Sequence, residues 1–459
     1  MMLEPPAYGA DPATAPVSRR LRRPDGVGVL TVYLTLLLVV PARLTIGALG
    51  AVGSPATLVG VAAAVVWCWA QATRGRLSHI QPVRLALLAV TFLFLTSYVI
   101  AVGQPRAIDE VQGADIALLS VVSWVGIALL AHDTVHDRRR LYRLLERLSL
   151  LGAFFAAVGI TQFVTGWQLT NLIEIPGLSW NSALNSVFAR AGFNRPASTA
   201  THSIEFSVAL AAMLPLAIHV AMEHRWLSPL RRWWPVVVMG MATPLAISRS
   251  GLVGLGVGMM ILFLGWDAIQ RKVGLIVMSL FVVVMFIVFP GLIGSLLSLF
   301  TRAGSDTSIR SRTDSYDLAE WFIGRSPLLG RGLGTFMPKY RILDNQYLML
   351  LIETGIIGLV AFVGLFFTAI VCAQIVRGRT NDAAMRHLAQ ATTASVAACA
   401  AGYALFDGFS FPQFTGLTFF CVGLAGALWR AGSTWLATPG NEAGDETAAA
   451  SRVAGRPRP

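Results

Sequence analysis

The chain has 459 residues, 55% of them hydrophobic and 13% charged, with a formal charge of +12 and a mean hydropathy of +0.64. Apolar runs recur from Val27 to Trp429, which excludes an ordinary soluble domain and implies a polytopic membrane protein. The basic residues punctuate those runs instead of clustering on a soluble module among exposed aromatics, so nucleic acid is excluded as a partner.

The first 26 residues form a basic tail ending in "SRRLRRPDG". It resembles a secretion signal, but no small-residue cleavage site follows and many further spans do, so the first helix is read as retained. Reading apolar runs between charged breaks places spans near 27–42, 55–72, 84–103, 113–131, 147–165, 203–221, 233–247, 251–266, 273–290, 346–374, 387–405 and 415–430. Each suits a helix, because open strands cannot satisfy their backbone groups in lipid. The expected fold is therefore all-α, with about twelve transmembrane helices and a large outer loop between the ninth and tenth. One membrane domain covers 27–430, with outer loops at 166–202 and 301–345, and an Ala/Gly/Pro/Arg-rich tail at 431–459 reads as disordered, like the first tail. The four cysteines, Cys68, Cys372, Cys399 and Cys421, lie within these spans with no close pair and no metal-ligand spacing, so neither disulfides nor a metal site is expected.

Of the 36 basic residues, 24 fall on the side that carries both tails. By the positive-inside rule that side is cytoplasmic. The seventh and eighth spans are separated only by "SRS" at Ser248–Ser250. A single helix over 235–265 would be roughly 46 Å long, well beyond a ~30 Å hydrocarbon core, so the chain is expected to turn there. Arg249 then sits at a recessed outer turn, which removes the cost of at least about 3 kcal/mol for an arginine at mid-membrane.

Both outer loops carry basic residues against the topological bias. The first ends "FARAGFNRPASTATHSIEF", with Arg190, Arg195 and His202, and Glu205 placed to complement a helix N-terminus. The second contains an amphipathic stretch in which Ile309, Tyr316, Ala319 and Ile323 share a helical stripe with Arg312. Arg310 instead faces Asp314 and Asp317, an exposed ion-pair edge, whereas Arg312 has no acid three or four residues away and is free for an anion. "GRGLG" lacks the flanking strand and helix of a phosphate loop and reads as a turn. In "LDNQYLMLLIETGIIGLVAFVG", Asp344 or Asn345 caps the next helix. Glu353 lies two turns in, where a carboxylate needs a partner, and an outer-loop arginine is the simplest one.

Taken in order, "SRSGL", Arg312 with Tyr316 four residues on, "PLLGRGLGTF" and "DNQYLMLLIETGIIGL" resemble the signature of the bacterial O-antigen ligase and polymerase superfamily, over about Arg190 to Gly364. The resemblance implies a metal-independent, inverting glycosyltransferase of the outer leaflet, without cofactor, whose donor is an undecaprenyl-diphosphate-linked glycan. It implies Arg249 and Arg312 as diphosphate ligands, assisted by Arg190. Arg195, His202, Asn345 and Glu353 are the further substrate-binding candidates. One departure stands out: ligases of the superfamily usually have histidine where this chain has Asp344. Asp344 is the favoured general base, ahead of Glu353 and His202.

The resulting expectation is a polymerase of lipid-linked repeats in the bacterial cytoplasmic membrane, with its active site outward and both termini cytoplasmic. Its partners would be the lipid-linked donor, a glycan acceptor, membrane lipid and envelope polysaccharide-assembly proteins. A ligase is the alternative within the superfamily. A lipid or polysaccharide transporter is the alternative from another class, but its charges would gather near mid-membrane, whereas these gather on one face, and no internal repeat is evident.

Overall fold

The computed structural model describes residues 25–435 apart from 74–80, 136, 182–187, 191 and 302–306. Both tails expected to be disordered therefore lie largely outside the described residues. The described residues form an all-α membrane protein of fourteen helices with two small antiparallel strand pairs. In chain order the helices are α1 (Gly26–Val39), α2 (Pro55–Thr73), α3 (Pro82–Val102), α4 (Ile108–Thr134), α5 (Arg138–Thr165), α6 (Ser203–Glu223), α7 (Pro229–Leu245), α8 (Arg249–Leu264), α9 (Ala268–Val288), α10 (Leu292–Thr301), α11 (Thr307–Arg325), α12 (Gln346–Arg379), α13 (Ala383–Tyr403) and α14 (Pro412–Trp435).

Every run read as a span is helical. Eight helices are long and apolar enough to cross a membrane, and α1 and α8 are shorter apolar helices. The remaining two runs are α7, which carries internal Pro235 and Pro244, and α13. The latter is almost wholly enclosed by the bundle, and there its buried Gln390, Thr392, Thr393 and Ser395 face protein and not lipid. By contrast α9 buries only Met285 and exposes apolar side chains all round, as a helix against lipid does.

Tertiary contacts sort the helix ends onto two faces. One face collects the loop after α1, the α3–α4 and α7–α8 turns, the first outer loop, and the starts of α6, α12 and α14. Backbone bonds from Ala42 to Thr199, from Asn181 to Arg43 and from Gln346 to Phe406 tie it together, as does the β1 (Leu44–Thr45) to β2 (Ser179–Trp180) pairing. The opposite face is tied by Arg138–Asp382 at 2.6 Å, Arg140–Asp25 at 3.1 Å and the bond from Trp266 to His387 at 3.0 Å.

The span expected at 346–374 differs from a single rod. A straight helix of the 34 residues in α12 would run about 51 Å, and α12 is instead broken at Gly355 (φ 65°). A break in lipid strands carbonyls and amides that must find partners. The "PLLGRG" loop supplies them: Arg331 N donates to Ile352 O at 3.0 Å and Gly332 N to Glu353 O at 2.8 Å, while Ile356 N and Ile357 N donate to Pro327 O and Leu328 O. Such close docking needs Gly330, which has φ 69° and where a Cβ would lie 2.2 Å from the Glu353 carbonyl carbon. Gly330→Ala is expected to destabilise the protein by about 2–4 kcal/mol, from the left-handed backbone and the overpacking together. Thermal melting in detergent, against a Gly324→Ala control at an open position, measures it.

Candidate functional site

Arg249 is carried by a strained turn. Between α7 and α8, Ile247 adopts a left-handed backbone (φ 47°), unusual for a β-branched residue. The turn is held on all sides. Ile247 is fully buried against Phe163, Leu245 and Leu292, its amide donates to Pro244 O, and Ser248 caps α8 by accepting from Gly251 N at 3.3 Å. The expected break at "SRS" is therefore present, with Arg249 half-buried in the first turn of α8.

Arg195 reaches this turn from strand β4 (Phe193–Arg195), donating from Nε to Ala246 O at 3.0 Å. His202 follows at the start of α6, where Nδ1 accepts from Ile204 N at 3.2 Å. Burial, with the nearby charges of Arg195 and Arg43, holds the His202 imidazole down to about 4. Its Nδ1 is taken up as a helix cap and its lowered basicity makes it a poor proton acceptor, which weakens its case as the base. Arg43, which the sequence reading missed, donates to Thr201 O at 2.7 Å and feels the charge of Glu205. The only signal for it was a basic residue beyond the first span on the sparsely basic side. Glu205 does complement a helix N-terminus, but that of α14, accepting from Gln413 N at 2.7 Å and Phe414 N at 3.3 Å, as well as from Thr201 N.

The N-termini of α6, α8, α12 and α14 thus lie on one face with Arg43, Arg195, His202 and Arg249, each terminus satisfied by a side chain. Arg190 belongs by its backbone to strand β3 (Phe188–Arg190), which pairs with β4, and Arg312 belongs to α11. The side chains of Arg190, Arg310 and Arg312 lie outside the described residues. Farther along α11, Ala319 and Ile323 pack against Phe336, Leu343 and Ile352 as the stripe requires. Tyr316 departs from the stripe and is 55% exposed.

Only one of the two capping candidates caps. Asn345 Oδ1 accepts from Tyr347 N at 3.0 Å and Leu348 N at 3.2 Å, leaving the half-buried Asp344 carboxylate outside the capping role. Asp344 instead sits near Asp407, in the short connection between α13 and α14. Burial and the Asp344 charge push Asp407 up to about 6, against the pull of a Ser410 hydrogen bond. A carboxylate tuned toward neutral pH suits proton transfer. Nothing in "LFDGFSF" marked Asp407 beyond one acid between two apolar runs.

Glu353 differs from expectation. Its Oε1 accepts from Phe336 N at 3.0 Å, with Gly334 N also close, so loop amides and not an arginine fork hold the carboxylate. The glycine-rich turn aims its amides at the α12 break, satisfying the buried carboxylate without desolvating a guanidinium. Arg331, the nearest candidate, pairs with Glu110 at 2.8 Å instead, and Tyr340 O–H donates to the same Glu110. This network, with Lys339–Asp109 at 2.6 Å, anchors the second loop to α4, and Glu353 reads as a latch for that loop.

Residues 405–411, between α13 and α14, touch both groups. On one side Ser250 Oγ donates to Leu405 O at 3.4 Å, and the His202 ring lies 6.4 Å from that of Phe411. On the other, Asp407 stands with Asp344. The O-antigen ligase family model matches residues 234–363. The match supports the resemblance seen in the sequence. It runs from α7 into α12 and takes in Arg249, Arg312, Asp344, Asn345 and Glu353, while Arg43, Arg190, Arg195, His202 and Asp407 lie outside it. No curated protein matches the chain significantly. Members of the matched family are glycosyltransferase-like enzymes, and the apolar helices indicate an integral membrane protein.

Proposed function

We propose that the chain is a polymerase of lipid-linked oligosaccharide repeats, working at the outer face of the bacterial cytoplasmic membrane with both termini inside. The observation that carries this reading is Arg249 in the first turn of α8, with Arg195 reaching the preceding turn from β4, on the face where Asp344 and Asp407 also lie. An undecaprenyl diphosphate presents its anion at the membrane surface, where guanidinium forks bind phosphate oxygens and offset the charge that grows on the leaving group. Arg312 and Arg190 complete that set.

In the transfer, an acceptor hydroxyl oxygen attacks the anomeric carbon of the donor sugar from the side opposite the diphosphate. The carbon–oxygen bond to phosphate breaks, the lipid diphosphate leaves, and the hydroxyl proton passes to Asp344, with inversion at the anomeric carbon. The arginines supply the electrostatic stabilisation that a metal ion gives elsewhere. Residues 27–430 act as one catalytic domain, the outer loops delivering the arginines.

The test is purified protein in lipid nanodiscs with lipid-linked oligosaccharide as the sole glycan substrate. A ladder of longer glycans with release of lipid diphosphate is the expected result. Product only after addition of a second, different acceptor would make the chain a ligase. Neither product would overturn both readings.

A further inference from the structure

Beyond the arginine side of the site, a cleft of about 230 Å³ opens between α4, the loop leading into α12 and residues 407–410. It follows one face of α4 from Gly113 to Trp124, a depth of about 16 Å. Its aromatic residues are Trp124, Phe336 and Phe409, and its polar side chains are Ser120, Arg341, Gln346, Glu353, Asp407 and Ser410, contributed by different walls. At its floor Gln346 is fully buried. Its Oε1 accepts from Phe409 N at 2.9 Å, while Nε2 has no partner among the described residues. A buried amide donor without a partner is uncommon and calls for one.

We propose that this cleft binds the reacting sugar of the acceptor glycan, placing it against Asp407 and Asp344 from the side opposite the diphosphate. The inference rests on the transfer reading above and deepens it. Three features argue for a sugar. Aromatic faces suit the C–H faces of a pyranose, while polar groups on several walls suit hydroxyls that point in several directions. The orphaned Gln346 Nε2 would donate to one such hydroxyl and Asp407 would accept from another. The volume falls below the roughly 300–1,000 Å³ of drug-sized pockets, so the cleft admits one sugar unit and leaves the rest of the glycan outside. Its position suits the transfer: Asp407 lines the cleft and feels the charge of Asp344, so a sugar seated there meets a carboxylate able to take its proton.

Two measurements test the proposal on the full chain in nanodiscs. The first uses Ile342→Cys, at the exposed mouth of the cleft, with the four native cysteines replaced by alanine. Its alkylation by N-ethylmaleimide should slow at least fivefold when lipid-linked oligosaccharide extracted from native membranes is added. Undecaprenyl diphosphate without glycan should not slow it, and neither ligand should protect Leu328→Cys, which lies outside the cleft. Equal protection by the glycan-free lipid would make the occupant a lipid chain, and absence of protection would remove the site; either overturns the proposal. Protection without any glycan transfer would overturn the transfer reading and leave the sugar site standing.

The second measurement uses Gln346→Glu, which keeps the acceptor for Phe409 N and removes the Nε2 donor. It should raise the half-saturating glycan concentration about tenfold with less than a threefold change in maximal rate. A packing role alone would reduce folded protein and leave the half-saturating concentration unchanged, overturning the part assigned to Gln346.

Discussion

Asp344→Asn is expected to lower glycan transfer by roughly two to four orders of magnitude at unchanged expression, the usual range for loss of a positioned general base. An amide cannot accept a proton in the transition state, and it matches carboxylate in size. Because Asn345 and not Asp344 caps α12, Asp344→Ala should give the same loss without unfolding the helix start. Asn345→Ala should instead cost about 1 kcal/mol of stability while transfer per folded molecule persists. Initial rates with lipid-linked oligosaccharide, normalised to folded protein, distinguish the two. Near-normal transfer by Asp344→Asn would pass the role of base to Asp407.

Arg249→Lys is expected to reduce transfer on the order of 10²–10³-fold, the effect of removing one positioned donor to a developing negative charge. An ammonium keeps the charge but cannot form the planar two-point contact with phosphate oxygens. Arg312→Lys should behave alike. Arg310→Ala should change activity little, because an exposed ion pair contributes about 0–1 kcal/mol. The check is the ratio of transfer rates in these three variants at matched expression. Equal losses in Arg310→Ala and Arg312→Lys would show that the two positions do not face different ways on α11.

The helices and the turn at Arg249 were legible in the sequence because lipid leaves the backbone little choice. Apolar runs of span length must be helical, and a helix over 235–265 is too long to stay straight across the bilayer. The basic residues on the sparsely basic side were legible for a related reason, since each stands against the topological bias. The sequence therefore determined the fold class, the two-sided arrangement and the turn that carries Arg249.

What only the tertiary structure decided were pairings over long sequence separations. Whether Asp344 or Asn345 caps α12 depends on a backbone angle that composition does not encode, since both residue types cap equally well. Glu353 found loop amides because the break at Gly355 and the glycine-rich turn fit each other. Neither segment reveals that fit alone, and an arginine partner satisfied the sequence equally well. Arg331 spends its charge on Glu110, which is 221 positions away. Asp407 and Arg43 joined the site only through the packing of the α13–α14 connection and the first outer loop. In a membrane bundle, span order fixes which face each loop occupies, and the lateral packing of helices fixes which loops touch. That packing depends on small residues and shape instead of hydrophobic periodicity, so it leaves little trace in a single sequence.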